Sequence, residues 1–474
     1  MEYEAVIGLE THVQLKTRTK MWCGCANEFG AEPNSNVCPV CLGLPGVLPV
    51  ANAEALRLTA LAGFMLNCEV PGFAKWDRKN YFYPDNPKNY QITQLDFPST
   101  ITGHVDFELN GNATQVCITR AHLEEDVGKS FHFDDFSGLD FNRAGVPLLE
   151  IVSEPDINSA DMAYEYLNAL KGILEYGGVS DCDMEKGQVR CDVNVSVRPL
   201  GKSKLGAKIE IKNMNSFRGV RRALQHEIPR QIGVLQNGGA LVQETRRWDA
   251  DAGITDSMRT KEDAHDYRYI PDPDLMPHTP TEEWLANVKL GMVELPLARK
   301  KRLMAEYQLP EGDAVVLVAD SALADYFEEA SKGVKNQKAV ANWIINDLQA
   351  KLTESETSLA DLKFPPAAFS ELVAFVESGT ISRKIAQKIF TEMFSSGKAP
   401  TEIVEEKGLM QLSDTGELGR FCKDAIEANP GPSEDYRKGK EAALNFLKGQ
   451  VLKASHGKAN PQMVGDLLKK ILTG

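Results

Sequence analysis

Two groups of residues near the start of the chain have the types and spacing of metal ligands. Glu10 and His12 lie two residues apart inside the apolar run 5–15. If this run is a β-strand, alternate side chains share a face, so the carboxylate and the imidazole project together. An acid and an imidazole on one face indicate a metal site or a proton-transfer site.

Four cysteines follow shortly after, as two close pairs. Close pairs on two turns can supply the four soft ligands of a tetrahedral zinc, and four thiolates leave no open position for water. We therefore expect a structural zinc, and the alternative is a set of unligated thiols. The five remaining cysteines are scattered and are expected to be reduced structural thiols. The predicted zinc ligands are Cys23, Cys25, Cys38 and Cys41.

The segment 77–94 combines cations, amides and tyrosines and is too polar for a core. Basic residues can neutralise phosphate oxygens, and tyrosine rings can stack on bases. This composition favours a functional loop. A structural loop fastened by tyrosine hydroxyls is the alternative.

The acidic triplet 124–126 precedes Gly128, Lys129 and Ser130, which resemble the end of a phosphate-binding loop. That motif requires a glycine five residues before Gly128, where this chain has Leu123. The sequence therefore does not predict a loop of that kind.

Two later segments predict strands with one apolar and one charged face. Alternation places Arg190 and Asp192 on one face of the first, and Lys208 and Glu210 on one face of the second. An open sheet face carrying these residues together with the pair on the first strand could hold divalent cations and a polyphosphate. The alternative is a solvated sheet face.

The elements that must position these residues are of mixed type up to about residue 290. Strand-like runs cover 6–15, 115–120 and 208–212, and Asn110-Gly111 is a hairpin signal. Apolar residues at three- and four-residue spacing predict a helix over 159–176. Ser159 suits its N-cap and Gly177 its end.

Four prolines between 271 and 280 exclude a long helix or central strand there. The patterns beyond them predict helices over 297–307, 321–331, 338–352 and 381–394. A second break at 429–432 precedes two predicted helices. The first covers 437–455 with Gly457 at its C-terminal turn, and the second follows Asn460 as N-cap.

Composition sets broad bounds on the protein. The chain has 474 residues, 42% hydrophobic and 25% charged, which is typical of a soluble protein of about three domains. No membrane span or signal peptide is visible, so a cytoplasmic location is expected. The net charge of −14 argues against nonspecific coating of nucleic acid. Residues 431–474 nevertheless carry a net +4, which is compatible with contact to a polyanion or with solvated helix faces.

Six segments together resemble the B-subunit (GatB) family of aspartyl/glutamyl-tRNA amidotransferases: 7–13, 77–94, 122–126, 147–156, 212–217 and 266–269. The resemblance runs from residue 6 to the C-terminal helices. It implies an α+β fold with an antiparallel sheet in an N-terminal cradle domain, 1–292. A helical domain, 293–405, and a small all-α YqeY-like tail domain, 406–474, would follow.

The resemblance also implies an activity. Glu misacylated on tRNA(Gln), or Asp on tRNA(Asn), would be phosphorylated with ATP and then amidated. Ammonia would come from the partner amidase of the GatCAB heterotrimer, and the small third component of that heterotrimer would clamp the assembly. The cognate aminoacyl-tRNA synthetase would be a further partner. The tail would bind the tRNA backbone through Lys438, Lys448, Lys453 and Lys458.

Under this resemblance the residues described above gain roles. Glu10, His12, Glu125 and Glu210 are predicted to hold Mg²⁺, with Glu124 and Asp192 nearby as further catalytic residues. The predicted nucleotide-binding residues are Lys79, Arg190 and Lys208. Zinc would mark a subgroup of the family, because many members lack the four thiols.

Two other functions stay open at this point. A tRNA-binding scaffold without chemistry of its own predicts that the acidic residues are dispensable. A metal-dependent phosphohydrolase or nuclease predicts phosphate release without ammonia. The chain has no evident glutaminase nucleophile arrangement, which agrees with an external source of ammonia.

Overall fold

The structure, a computed structural model, describes residues 2–260, 267–409, 415–455, 459 and 461–473. Its contacts divide the chain into two compact units, Met1–Ala298 and Arg299–Gly474. In the described parts of the chain no helix has both the length and the apolar character needed to cross a membrane.

The first unit is built on β-strands. They are β1 Tyr3–Gln14, β2 Asp77–Asn80, β3 Tyr90–Thr93, β4 Thr100–Leu109, β5 Asn112–Glu125, β6 Lys129–His132, β7 Ser137–Asp140, β8 Pro147–Ser153, β9 Val189–Pro199, β10 Ile209–Lys212, β11 Glu244–Asp249, β12 Ile254–Thr260 and β13 Ile270–Pro271. Eight of them form one sheet in the order β12-β11-β10-β9-β1-β8-β5-β4. β13, β2 and β3 form a second sheet, and β6 pairs with β7.

The large sheet is antiparallel except between β10 and β11. Strand β1 lies between β9 and β8 and is hydrogen-bonded to both of them. Ile7 and Leu9 are buried, whereas Glu10 and His12 project from the other face. The sheet therefore has one apolar face and one polar face.

Helices cover the apolar face. The helices of the first unit are α1 Ala53–Met65, α2 Ala160–Tyr176, α3 Phe217–Gln236 and α4 Glu282–Lys289. Leu58 of α1, Leu170 of α2 and Leu224 of α3 belong to the same buried cluster as Leu9 and Val193 of the sheet. This burial leaves the opposite, polar face for chemistry.

Several local predictions are confirmed in this unit. Strands β4 and β5 form a hairpin around Asn110-Gly111, with Gly111 at a φ of +77°. The predicted helix 159–176 is α2, whose first turn is capped by the Ser159 side chain accepting from Met162 N. The α+β class with a mainly antiparallel sheet is also confirmed.

The second unit is helical. Its α-helices are α5 Pro296–Glu306, which begins just before the boundary, α6 Glu311–Leu317, α7 Ser321–Ser331, α8 Gln337–Trp343, α9 Gln349–Ser355, α10 Pro366–Glu377, α11 Arg383–Ser396, α12 Pro400–Lys407, α13 Thr415–Ala428, α14 Pro430–Arg437, α15 Ala442–Ala454 and α16 Pro461–Thr473. A π-helical turn, Ile344–Leu348, joins α8 to α9. The helical character predicted beyond the prolines is confirmed.

Two details of the C-terminal end differ from the prediction. Residues 430–437 form a helix, because Pro430 occupies its first turn, where no donor is needed. The helix predicted from 437 begins at Ala442, since Gly439 has a φ of +95°. Gly457, Lys458 and Asn460 lie outside the described residues, as does position 266 of one motif.

Two separate apolar clusters fill the second unit. One runs from Leu303 to Val404 and the other from Leu418 to Leu472. Each lies inside one of the two C-terminal domains expected from the sequence, 293–405 and 406–474. The division into three domains stays a prediction.

Candidate active site

Three side chains meet on the polar face of the sheet, one from each of three adjacent strands. His12 of β1 is paired with Glu150 of β8, and Glu124 lies on β5, the next strand. His12 Nε2 is 3.4 Å from a Glu150 oxygen and 3.7 Å from a Glu124 oxygen. One ligand atom of each residue lies within 4.8 Å of the others. We call His12, Glu124 and Glu150 the carboxylate–imidazole trio.

The trio has the donor set that a hard divalent cation takes. Carboxylate oxygens suit Mg²⁺ and Mn²⁺, and an imidazole nitrogen is accepted by many divalent metals. Three protein ligands also leave positions for water or a substrate oxygen. The residues therefore fit a catalytic cation better than a closed structural one.

Burial and charge set the protonation of the trio. Burial raises the pKa of Glu124 to about 7, and the neighbouring Glu150 carboxylate adds to the effect. Burial alone would lower the pKa of His12, but the Glu150 and Glu124 carboxylates outweigh it and raise that pKa. Glu124 can thus hold or release a proton near neutral pH, and His12 holds its proton more strongly than a free imidazole does.

The third member is kept ionised. Burial acts to raise the pKa of Glu150, yet His122, His12 and Lys79 lower it strongly. His122 Nε2 lies 3.6 Å from a Glu150 oxygen. Burial lowers the pKa of His122 itself to about 4, so at neutral pH this ring is a neutral neighbour of Glu150.

Lys79 reaches the trio from the small sheet. It lies on β2, and its ammonium is 5.0 Å from the centre of the Tyr267 ring. Burial acts to lower the pKa of Lys79, but the charges of Glu124 and Glu150 and the nearby tyrosines Tyr267 and Tyr269 raise it. Lys79 is therefore a fixed positive charge beside the trio, as a phosphate-binding residue would be.

The polar face of the sheet carries three more acidic residues outside the trio, which are Glu10, Asp192 and Glu210. Glu10 accepts from Asn194 Nδ2 at 2.8 Å. Lys212 forms ion pairs with both Asp192 and Glu210, the latter at 3.2 Å. The predicted residues Glu10 and Glu210 thus share the face of His12, but neither belongs to the group of ligand atoms around it.

The sequence predicts that Glu125 and His12 hold the same Mg²⁺, but the Glu125 side chain lies elsewhere. Adjacent strand residues face opposite ways, so Glu124 and Glu125 cannot both point to the trio. The Glu125 carboxylate is paired with Lys88 and accepts from Ile92 N at 2.9 Å. Glu124 is the carboxylate of this strand that lies beside His12.

Arg190 and Lys208, two of the predicted nucleotide-binding residues, have different surroundings. Arg190 is bound to the buried Asp126, with Nη2 to Oδ2 at 2.8 Å, and this pairing raises its pKa. Lys208 is exposed and lines a cavity of about 230 Å³ together with Gly8, Glu10 and Asn194. The Asn194 side-chain oxygen is buried and has no protein partner.

Sequence reasoning gave no role to Glu150 or His122. Both lie in segments that contributed to the family resemblance, yet only the pairing of β8 with β1 and β5 brings them to His12. A local signal existed, because Glu150 is the one charged residue in the apolar strand Pro147–Ser153. An isolated acid in a buried strand needs a partner.

The four predicted zinc ligands also converge. The sulfur atoms of Cys23, Cys25, Cys38 and Cys41 lie within 4.8 Å of one another, a spacing that four thiolates around one zinc can adopt at Zn–S distances of about 2.3 Å. Cys41 is the buried member, and its Sγ accepts from Cys38 N at 3.1 Å and from Lys20 Nζ at 3.7 Å. Its pKa is lowered to about 4, chiefly by a hydrogen bond from Cys23.

Comparison with known proteins gives two matches to family models. Residues 5–286 match the GatB/GatE catalytic domain, and residues 325–472 match the GatB domain. Curated relatives named as the B subunit of aspartyl/glutamyl-tRNA(Asn/Gln) amidotransferase are similar over their whole length. The protein of Methylacidiphilum infernorum is 54% identical, covering 100% of this chain and 99% of its own length. That of Carboxydothermus hydrogenoformans is 52% identical, covering 99% and 98%.

Proposed function

Because the chain belongs to the GatB/GatE family, we propose that it is the B subunit of an enzyme that amidates misacylated tRNA. It is a ligase subunit that forms a carbon–nitrogen bond. Its substrates are Glu-tRNA(Gln), Asp-tRNA(Asn) or both, and its products are the corresponding Gln and Asn forms. The observation that carries the choice of site is the trio beside Lys79 on the polar face of the sheet.

The chemistry requires activation of a carboxylate. Hydroxide is a poor leaving group, so the side-chain carboxyl of the tRNA-borne Glu or Asp must first become an acyl phosphate. Ammonia then attacks its carbonyl carbon, forms the amide and releases inorganic phosphate. Phosphoryl transfer depends mainly on positioning and neutralisation of charge.

We assign these two tasks to different residues. His12, Glu124 and Glu150 would hold a divalent cation such as Mg²⁺, which supplies charge neutralisation when bound. Lys79 would contact phosphate oxygens, supported by its half-buried position beside Glu124. Glu10, Asp192, Glu210 and Arg190 would line the remainder of the polar face and keep its charges ordered.

For ATP, the cavity beside Glu10 offers a place for the nucleoside. Gly8 has no side chain on this face, so a flat ring could lie against the strand there. The unpartnered Asn194 oxygen can accept from an amino or hydroxyl group, and the exposed Lys208 can reach a phosphate. These features support the nucleotide roles proposed for Lys208 and for this part of the sheet.

We also propose partners and a location for the protein. The relatives are named as one lettered component of an amidotransferase, which supports a complex in which a partner amidase supplies ammonia and a small third component joins the two. The net +4 of residues 431–474 supports tRNA contact by the tail, with the synthetase as a further partner. We place the complex in the cytoplasm, with a structural zinc bound by the four thiols.

The test is an amidation assay on the assembled complex. Ammonium salt, ATP and misacylated tRNA should give the amidated aminoacyl-tRNA, and omission of ATP or of the divalent cation should stop it. Phosphate release at the same rate without ammonia or amide would indicate a phosphohydrolase. Full activity of a Glu150→Gln variant would indicate that the trio is dispensable and that this chain serves as a scaffold.

A further inference from the structure

The turn that carries Cys38 and Cys41 packs directly on a residue of the active-site region. Leu42 N and Gly43 N bond to Cys38 O and Val40 O at 3.1 and 3.0 Å, so the turn folds back on itself after the cysteine pair. Gly43 has a φ of +65° and faces Lys88. A Cβ at Gly43 would lie 2.5 Å from Lys88 Cγ and 3.1 Å from Lys88 Cα. The turn therefore limits where Lys88 can be.

Lys88 in turn holds the end of strand β5. Its ammonium pairs with Glu125, and only 9% of its side chain is exposed. Glu125 also accepts from Ile92 N, and its carbonyl oxygen accepts from Gln91 Nε2 at 2.6 Å. Glu125 is thus fixed from the side of β3, and Glu124 of the trio is its chain neighbour.

A second contact joins the thiol cluster to the same place. A Cβ at Gly145 would lie 3.5 Å from Cys41 Cβ and 3.8 Å from a Glu125 oxygen. Lys20, which is completely buried, bridges Cys41 Sγ and Phe141 O. Cys41 and Glu125 are therefore separated by little more than the backbone of Gly145.

We propose that the zinc-binding turn 38–44 is a positioning element for amidation, acting by holding Lys88 on Glu125 and thereby fixing Glu124 in the trio. Gly43 and Lys88 are positioning residues, because neither belongs to the trio. The inference rests on the proposed function for its kinetic measurement only. The state of Lys88 can be measured without any turnover.

The test uses two glycines of the same loop in the assembled complex. Gly43→Ala forces Lys88 to move but changes no thiol. Gly46→Ala is the matched control, because Gly46 also has a positive φ, +87°, and has nothing within 4 Å of a Cβ. Zinc content, the rate of Lys88 acylation by an amine-reactive reagent, and kcat and KM for misacylated tRNA are measured on both.

The Gly43→Ala complex should still bind one zinc, and its Lys88 should be acylated several times faster than in wild type. Its kcat should fall about tenfold, with KM changed by less than about twofold. Gly46→Ala should match wild type in every measurement. Should Gly43→Ala fail to fold, removal of zinc from the wild-type complex by a chelator should give the same two effects, and added zinc should reverse them.

Unchanged Lys88 acylation after Gly43→Ala or after zinc removal would overturn the inference, whatever the activity. Faster acylation with wild-type kcat would also overturn it, because the turn would then hold Lys88 without consequence for amidation. A wild-type complex that fails to amidate tRNA yet protects Lys88 in a zinc-dependent way would instead refute the proposed function alone.

Discussion

The two metal-type sites of the first unit are assembled in opposite ways. The thiol cluster takes all its ligands from residues 23–41, on two turns close in sequence. The carboxylate–imidazole trio takes one ligand from each of three strands, at positions 12, 124 and 150. Local spacing in the sequence can encode a site of four thiolate ligands with no position left for water. The site of carboxylate and imidazole ligands, which leaves positions open, depends here on the register of a sheet.

The two sites also differ in how their side chains are charged. In the trio, burial raises the pKa of Glu124 to about 7, and the neighbouring carboxylates raise the pKa of His12 above its usual value. At the thiol cluster, the pKa of Cys41 is lowered to about 4, whereas the pKa values of Cys23 and Cys25 are raised, so Cys41 is the member that ionises most readily. We therefore expect cation binding at the trio to depend on pH near neutrality.

The largest effect should come from Glu150→Gln. Loss of a carboxylate from the trio should reduce aminoacyl-tRNA-dependent ATP cleavage by roughly 10²–10³-fold while leaving tRNA binding nearly intact. Rates of ATP cleavage and a tRNA-binding titration measure both. Glu10→Gln is the matched control on the same face, and we expect a smaller loss. If Glu10→Gln reduces ATP cleavage as much as Glu150→Gln does, Glu10 belongs to the cation site as well.

Glu125→Gln should separate positioning from metal binding. The amide can still accept from Ile92 N but leaves Lys88 without its charged partner in a buried setting. We expect ATP cleavage to fall by about tenfold or more, with Mn²⁺ affinity within about threefold of wild type. A loss of Mn²⁺ affinity as large as that of Glu150→Gln, measured by titration, would instead support Glu125 as a ligand.

Removing one zinc ligand should act on stability. Cys38→Ser should abolish zinc binding and lower the Tm by about 5–10 °C. The loss of folding free energy should be smaller than the binding free energy of structural zinc in small peptides, because the domain is already folded without the metal. Zinc analysis and thermal unfolding test this. Cys117→Ser is the control, since that thiol is exposed and lies outside the cluster. An unaltered Tm would separate metal binding from stability.

Metal binding at the trio should weaken as the pH falls. Glu124 is protonated below its pKa of about 7, and the raised pKa of His12 acts in the same direction. A cation must displace these protons, so Mn²⁺ affinity should drop by about tenfold between pH 8 and pH 6, with proton release on binding. Calorimetry in two buffers of different ionisation enthalpy measures the release. Binding without proton release contradicts the assignment.

The smallest effect should come from the tail. Lys438, Lys448 and Lys453 are exchanged for Gln. The slope of log K for tRNA binding against log salt concentration should become less steep by about 0.7–0.9 for each phosphate that is no longer neutralised. Deletion is a cruder test and should begin after residue 409, since α13 shares a core with α15 and α16. An unchanged slope would mean that the first unit binds the phosphates.

Much of this protein was determined by the sequence itself. Spacing predicted the thiol cluster, the Asn110-Gly111 turn and helix α2 with its Ser159 cap, because each depends on residues close together in the chain. Alternation correctly predicted that Glu10 and His12 share a face of β1.

Only the tertiary structure decided which acids meet His12. The choice of Glu124 over Glu125 depends on which face of β5 each occupies, and that requires the pairing of β5 with β8. The arrival of Glu150 depends on β8 lying between β1 and β5, although its sequence distance from His12 is large. The physical reason is that a strand's own pattern sets which residues share a face, whereas its neighbours and register are set by burial across the whole sheet.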